Sequence, residues 1–243
     1  LSIRRQRQMC IRDSFVPPAA PLTAITNTSL LLNMTSAGIY DSASMNNLET
    51  VGDAKISTAQ SKFGGSSLAF DGSGDVLSTP ASQNFVFNGD FTVEGWVYID
   101  STMTSTRPDN LKTFIFMGWN TGNTPQLYVY GNTTIPGIGL GYYDSTNSWE
   151  VAVTVPKDQW VHIAYVRTGT TLYGFVAGTR YTINASISAT IGTNNTMVIA
   201  GNPNQVAAYY SYLKGYINNV RITKGYARYT TTFTPPTTAF IAR

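Results

Sequence analysis

Lys214–Phe240 reads KGYINNVRITKGYARYTTTFTPPTTAF, and the fold of the whole chain is decided there. Tyr216, Asn218, Val220 and Ile222 alternate with Ile217, Asn219 and Arg221, the period of two that sends successive side chains to opposite faces of a strand. Gly225 ends this predicted strand, and Tyr226–Tyr229 turn the chain. Pro235 and Pro236 lack an amide donor, so the tail cannot pair as a further strand.

The same period recurs upstream. In FTVEGWVYI (Phe91–Ile99), Phe91, Val93, Val97 and Ile99 share one face, and Thr92, Glu94, Trp96 and Tyr98 share the other. Further strands are expected at Thr113–Trp119, Gln126–Tyr130, Ile138–Tyr143, Trp149–Val155, Trp160–Arg167, Thr171–Ala177, Arg180–Ile183 and Met197–Ala200, with shorter segments at Leu30–Leu32, Ala54–Ser57 and Leu68–Phe70. Gly169 and Gly178 mark hairpins between neighbours. No window sustains the helical period. Charged residues make up 12% of the chain, about half the usual ~25%. Many short strands and no repeat period predict an all-β fold, a two-sheet antiparallel sandwich, and 243 residues suit one such domain.

Several motifs carry a family resemblance. Gly215–Ile217, Arg221–Gly225, the aromatic turn Tyr226–Tyr229 and Phe233–Pro236 resemble the C-terminal signature of laminin-G-like, concanavalin A-like jelly-roll domains found in bacteriophage structural proteins and bacterial surface proteins. SLLLNMTSAGIYDSAS, with a loop closed by Asp41, and GSSLAFDG, from Gly65 to Gly72, resemble that family's opening elements. The resemblance spans about residues 30–240 and implies a jelly-roll sandwich. Residues 15–29 are expected to form an extended Pro/Ala arm. Residues 1–14 contain MCIRDS, which resembles the translation of a transposase adapter used in preparing sequencing libraries, and are set aside from the fold.

Charge narrows the partners. Arg4, Arg5, Arg7 and Arg12 against Asp13 carry the entire formal +3, so basic and acidic residues balance at 12 each after Ser14. A neutral body lacks the basic stripe that nucleic acid or an anionic membrane surface needs, and no apolar run is long enough to insert in a membrane. Cys10 is the single cysteine, so a structural disulfide or thiolate metal site is not expected in the body.

Catalysis is not expected. Related glucanases set two carboxylates on one strand, whereas Glu49, Glu94 and Glu150 fall in three separate segments. His162, the sole histidine, reads as a structural residue partnered by Glu94 across neighbouring strands. Asp71 and Asp75, in an Asp-Gly-Ser-Gly-Asp turn, offer oxygen ligands that suit Ca²⁺, and the resemblance implies such a site; the same residues also make an ordinary glycine turn. Asn218 and Asn219 stand where relatives often carry paired aspartates, which weakens a cation site. Rings stack on the apolar faces of sugars. The candidate ligand-binding residues are therefore Trp119, Tyr142, Trp149, Tyr209, Tyr210 and Tyr212.

The expected function is non-enzymatic recognition of a glycan or host cell-surface polysaccharide, with other virion proteins as further partners. By resemblance the setting is a phage appendage, on a virion or an extracellular surface. The alternatives are a purely structural decoration or assembly module and a glucanase-like hydrolase.

Overall fold

The computed structural model describes residues 28–32, 34, 39, 41, 43, 46–103, 111–119, 126–131, 138–143, 147–187, 190–191, 196–201 and 212–240. In chain order the strands are β1 (Thr28–Leu32), β2 (Glu49–Val51), β3 (Lys55–Ser57), β4 (Ser67–Asp71), β5 (Val76–Thr79), β6 (Phe91–Ile99), β7 (Leu111–Trp119), β8 (Gln126–Gly131), β9 (Ile138–Tyr143), β10 (Ser148–Val151), β11 (Trp160–Thr168), β12 (Thr171–Val176), β13 (Thr179–Asn184), β14 (Met197–Ile199) and β15 (Lys214–Lys224). Among the described residues the helical structure is one short turn at Gln83–Phe85.

The strands form two antiparallel sheets. The larger runs β13-β12-β11-β6-β15-β4-β3, with β1 also paired to β15, and the smaller runs β10-β9-β8-β7-β14-β5-β2. Leu68, Val93, Val97, Ile163, Ile217, Val220 and Ile222 of the larger sheet meet Leu77, Leu127, Val129, Leu140, Tyr142 and Ile199 of the smaller in one buried core. This is the predicted all-β jelly-roll sandwich. β15 lies at its centre, paired with β6 along one side and shared between β4 and β1 along the other.

Strict alternation in β15 does not survive. Asn218 pairs with Trp96 and Arg221 with Glu94, so β15 spends one residue more than β6 over that step. Asn219 sits at φ +53°, a left-handed conformation that asparagine tolerates better than most residues. The bulge shifts the phase, so that Ile217, Val220 and Ile222 all enter the core while Asn218 and Arg221 face the other way. Unbroken alternation would have placed Ile217 and Val220 on opposite faces.

The expected strand Trp149–Val155 also stops early, at Val151, although Val153 and Val155 still pack on the core. Other expectations hold. Gly169 and Gly178 lie at the turns joining β11, β12 and β13 with φ +58° and +82°, and Asp41 Oδ1 accepts the Leu31 amide at 2.9 Å, closing the loop after β1. The tail adds no strand and instead crosses the outer face of the larger sheet, ending with Phe240 buried. Residues 1–27, residues 104–110 between β6 and β7, and the Tyr209–Tyr210 segment lie outside the described residues.

Candidate functional site

β15, β6 and β11 lie side by side, and their outward residues form successive rows across the larger sheet. One row runs Arg221–Glu94–Ala164, the next Asn218–Trp96–His162, and the third Tyr216–Tyr98–Trp160. The first two are covered by the tail. The third is the candidate site.

Under the tail, Glu94 is 0% exposed and fully engaged. Its Oε1 accepts from Arg221 Nε at 2.9 Å and Nη2 at 2.6 Å. Oε2 accepts from Tyr229 Oη at 2.9 Å and faces His162 Nε2 at 3.1 Å. A carboxylate only accepts, so Nε2 must carry the hydrogen. Burial alone would raise the Glu94 pKa, but the His162 hydrogen bond and the Arg221 charge outweigh it and lower the pKa to about 2. The predicted His162–Glu94 pair is thus observed. Tyr229 and Phe233 stack at 3.7 Å, and Phe233 and Phe240 meet the His162 ring edge-on.

Asn218 and Asn219 tie the cover down. Asn218 Nδ2 donates to the carbonyls of Ser66 at 2.6 Å and Phe63 at 3.3 Å, and Asn219 Oδ1 accepts the Phe240 amide at 2.8 Å. Paired aspartates would have no N–H for Ser66 or Phe63.

Four residues along β6, the described part of the tail does not seal the row in the same way. Tyr98 stands directly opposite Tyr216 on one side and Trp160 on the other, with ring centroids 5.8 Å apart in both pairs and interplanar angles of 81° and 66°. All three rings are half-buried. Trp160 packs against the small outer cluster of Leu31, Trp96 and Phe240, whereas Tyr98 and Tyr216 belong to none of the described core clusters. The Trp160 indole Nε1–H is buried and meets no acceptor among the described residues. Gly215 permits the arrangement: at φ +148°, any Cβ there would stand 2.0 Å from the Tyr98 carbonyl oxygen.

Tyr216, at one end of the row, borders a groove of about 320 Å³ lined also by Lys55, Asp71, Asp100 and Lys214, with Asp53 and Asp75 in its wall. Ala69 lies opposite both Tyr216 and Lys55, and its short side chain leaves the floor low. Lys214 Nζ donates to Thr102 Oγ1 at 2.6 Å. Desolvation of the ring and the nearby charges of Asp158 and Asp100 raise the Tyr98 pKa, so the phenol keeps its proton and can both donate and accept.

Asp71 and Asp75 come together at this groove, as turn-locking acceptors. Asp75 is 1% exposed; its Oδ1 accepts the Asp53 amide at 2.6 Å and its Oδ2 the Asp71 amide at 2.9 Å. Asp71 is exposed and accepts the Ser73 amide at 2.7 Å. A cation there would share oxygens already bound to amides, and no cluster of three or more His, Cys, Asp or Glu with metal-binding geometry occurs among the described residues.

Of the aromatic residues singled out from sequence, the side chains of Tyr142, Trp149 and Tyr212 are described. Tyr142 is 1% exposed and stacks on Trp149 with centroids 5.5 Å apart, as part of the core, because its alternation on β9 points it inward with Leu140. Trp149 is half-buried behind it. Tyr212 lies against Gly201, beside the junction into β15. Trp119 is on β7 with its backbone opposite Met197, and its side chain, like Tyr209 and Tyr210, lies outside the described residues. Tyr98, Trp160 and Tyr216 were missed because each looks like an ordinary strand aromatic; register 62 and 118 residues apart joins them.

Glu150 lies on the opposite side of the molecule. On the outer face of the smaller sheet the Tyr128 ring crosses Gly141, where a Cβ would sit 2.2 Å from it, and its hydroxyl donates to Glu150 at 2.8 Å. Glu94 and Glu150 therefore face away from each other across both sheets, too far to flank one glycosidic bond.

Among solved structures, domain 4 of AbnA, a GH43 extracellular arabinanase from Geobacillus stearothermophilus solved with arabinotriose, is similar at TM-score 0.59 and 15% identity, covering 83% of this chain and 94% of that one. The botulinum neurotoxin serotype D binding domain is similar at TM-score 0.59 and 11% identity, covering 81% and 47%. Trypanosoma rangeli sialidase is similar at TM-score 0.59 and 13% identity, covering 86% and 33%. This chain thus spans about half of the neurotoxin binding domain and a third of the sialidase. No curated protein sequence matches it. Residues 71–228 match the laminin-G-type family described as the concanavalin A-like lectin/glucanases superfamily, which holds both enzymes and binding domains, and to that superfamily the chain belongs.

Proposed function

We propose that this chain is a non-enzymatic carbohydrate-binding domain whose platform is the Tyr216–Tyr98–Trp160 row. The observation that carries the reading is three half-buried rings in register on adjacent strands, beside an open groove lined by carboxylates, amines and a hydroxyl-bearing ring. Tilted neighbouring rings present a face and an edge together, a corner that receives the apolar C–H side of a sugar while Asp71, Asp100 and Tyr98 bond its hydroxyls. The fold neighbour solved with arabinotriose supports a saccharide ligand by analogy of fold. The resemblance of Lys214–Phe240 to phage and bacterial surface domains supports an extracellular or virion setting, with host-surface polysaccharide as ligand and neighbouring virion proteins as attachment.

A broad glycan array probed with the intact chain tests this. Binding is expected, and Tyr98→Ala is expected to weaken it at least about tenfold, ~1.4 kcal/mol or more, from lost ring burial together with lost stacking. An array blank at high protein concentration, or Tyr98→Ala binding as well as the parent, sinks the reading. Reducing-sugar release from the bound polysaccharide is expected to be nil; sustained release would replace a binding domain with a hydrolase.

A further inference from the structure

We propose that this platform selects glycans without acidic groups and turns carboxylated sugars away, an inference that rests on the glycan-binding reading above. The groove places Asp53, Asp71, Asp75 and Asp100 against Lys55 and Lys214, an excess of two negative charges. Lys214 Nζ donates to the neutral Thr102 hydroxyl and keeps its charge, so the excess stays at two. At the centre of the row the bias continues: the Asp158 and Asp100 charges both act on the Tyr98 hydroxyl, and the Asp100 pKa is itself lowered by the Thr102 hydrogen bonds and by the Lys214 and Lys157 charges. Across the whole site five aspartates face three lysines. After Ser14 the chain is electrically balanced, so this negative sign is a local feature of the site and not of the chain as a whole.

The oxygens themselves suit hydroxyl donors. Asp71 is exposed with one oxygen on the Ser73 amide, and Asp100 accepts from Thr102 through its amide and hydroxyl. A sugar hydroxyl can donate to such acceptors, and an ionised carboxylate cannot. A carboxylated sugar on the rings would bring a third negative charge within several Å of the groove. In low salt the penalty is about tenfold in affinity, and it fades as the screening length shortens from ~30 Å at 0.01 M to ~8 Å at 0.15 M.

The test titrates the full chain with matched hexose oligomers of gluco, galacto and manno configuration, each beside its oligouronate, at 10 mM and 150 mM salt. The expected result is binding of at least one neutral oligomer, with its uronate about tenfold weaker at 10 mM salt and the gap narrowing at 150 mM. Asp71→Asn with Asp100→Asn, which keeps both amide-accepting oxygens, is expected to close most of the gap at 10 mM. A uronate that binds as tightly as its neutral partner at low salt, or a gap unmoved by the double variant, overturns the selectivity while the glycan platform stands. If no oligomer of either series binds, the platform itself falls, and the selectivity with it.

Discussion

The outer face of β15, β6 and β11 has two halves built on one backbone register. In one, Glu94 is sealed with Arg221, His162 and Tyr229 beneath the aromatic tail. In the other, four residues along β6, Tyr98 stands between Trp160 and Tyr216, and Tyr216 borders an open groove. Both are rows of large polar or amphipathic side chains on adjacent strands. What separates them is the fifteen residues after Gly225, which lie over one half, anchored by the Phe240 amide on Asn219. Pairing fixes which residues are neighbours; the covering chain fixes which meet solvent.

The sharpest way to break this division is Glu94→Ala. It strands a buried guanidinium and a phenol without their acceptor, and a loss of about 3–5 kcal/mol is expected in denaturant unfolding. A loss under ~1 kcal/mol would mean the sealed half is no more demanding than the open one.

Acid probes the same half without mutation. The Glu94 pKa is depressed in the folded state, so its contribution is full above the ordinary value of 4.5 and is lost as pH falls toward about 2. Linkage gives about 3 kcal/mol over that window, and Glu94→Gln should flatten the stability curve there. A curve unchanged by that substitution would place the acid sensitivity elsewhere.

In the open half, Tyr98→Ala is expected to cost only about 1–2 kcal/mol of stability, since the ring is half-buried and outside the core clusters, while binding falls at least about tenfold. A stability loss rivalling that of Glu94→Ala would make the ring row a packing feature. The smallest expected effect is that of calcium: with Asp75 held by two amides, millimolar Ca²⁺ or chelator should leave the melting temperature unmoved. A clear upward shift with Ca²⁺ would give Asp71 and Asp75 a metal at the groove and require the selectivity argument to be recast around it.

Much of the fold was legible because period-two patterns and glycine turns are local. The inward set Phe91, Val93, Val97 and Ile99 on β6 was readable from alternation alone, as were the hairpins at Gly169 and Gly178. The bulge at Asn219 was not, because the two-against-three count exists only once β6 lies alongside β15. For the candidate site, Asp71 and Asp75 were found as a local turn, whereas the ring row went unseen and Tyr142 was misplaced on the surface. An aromatic residue on a strand has the same local sequence character whether it faces a core, a covering tail or solvent.

The sequence by itself thus determined most of the strands, the hairpin turns, the closing tail and the neutral body, though not the short strands β2 and β5. Tertiary structure alone decided that Glu94 becomes a buried anion rather than an exposed acid, that Asn218 and Asn219 act as anchors, and that three rings from distant segments form one surface. The physical reason is that hydrophobic period and turn chemistry act over a few residues, whereas burial, ionisation and the meeting of side chains depend on what long-range pairing and the tail's path place against them.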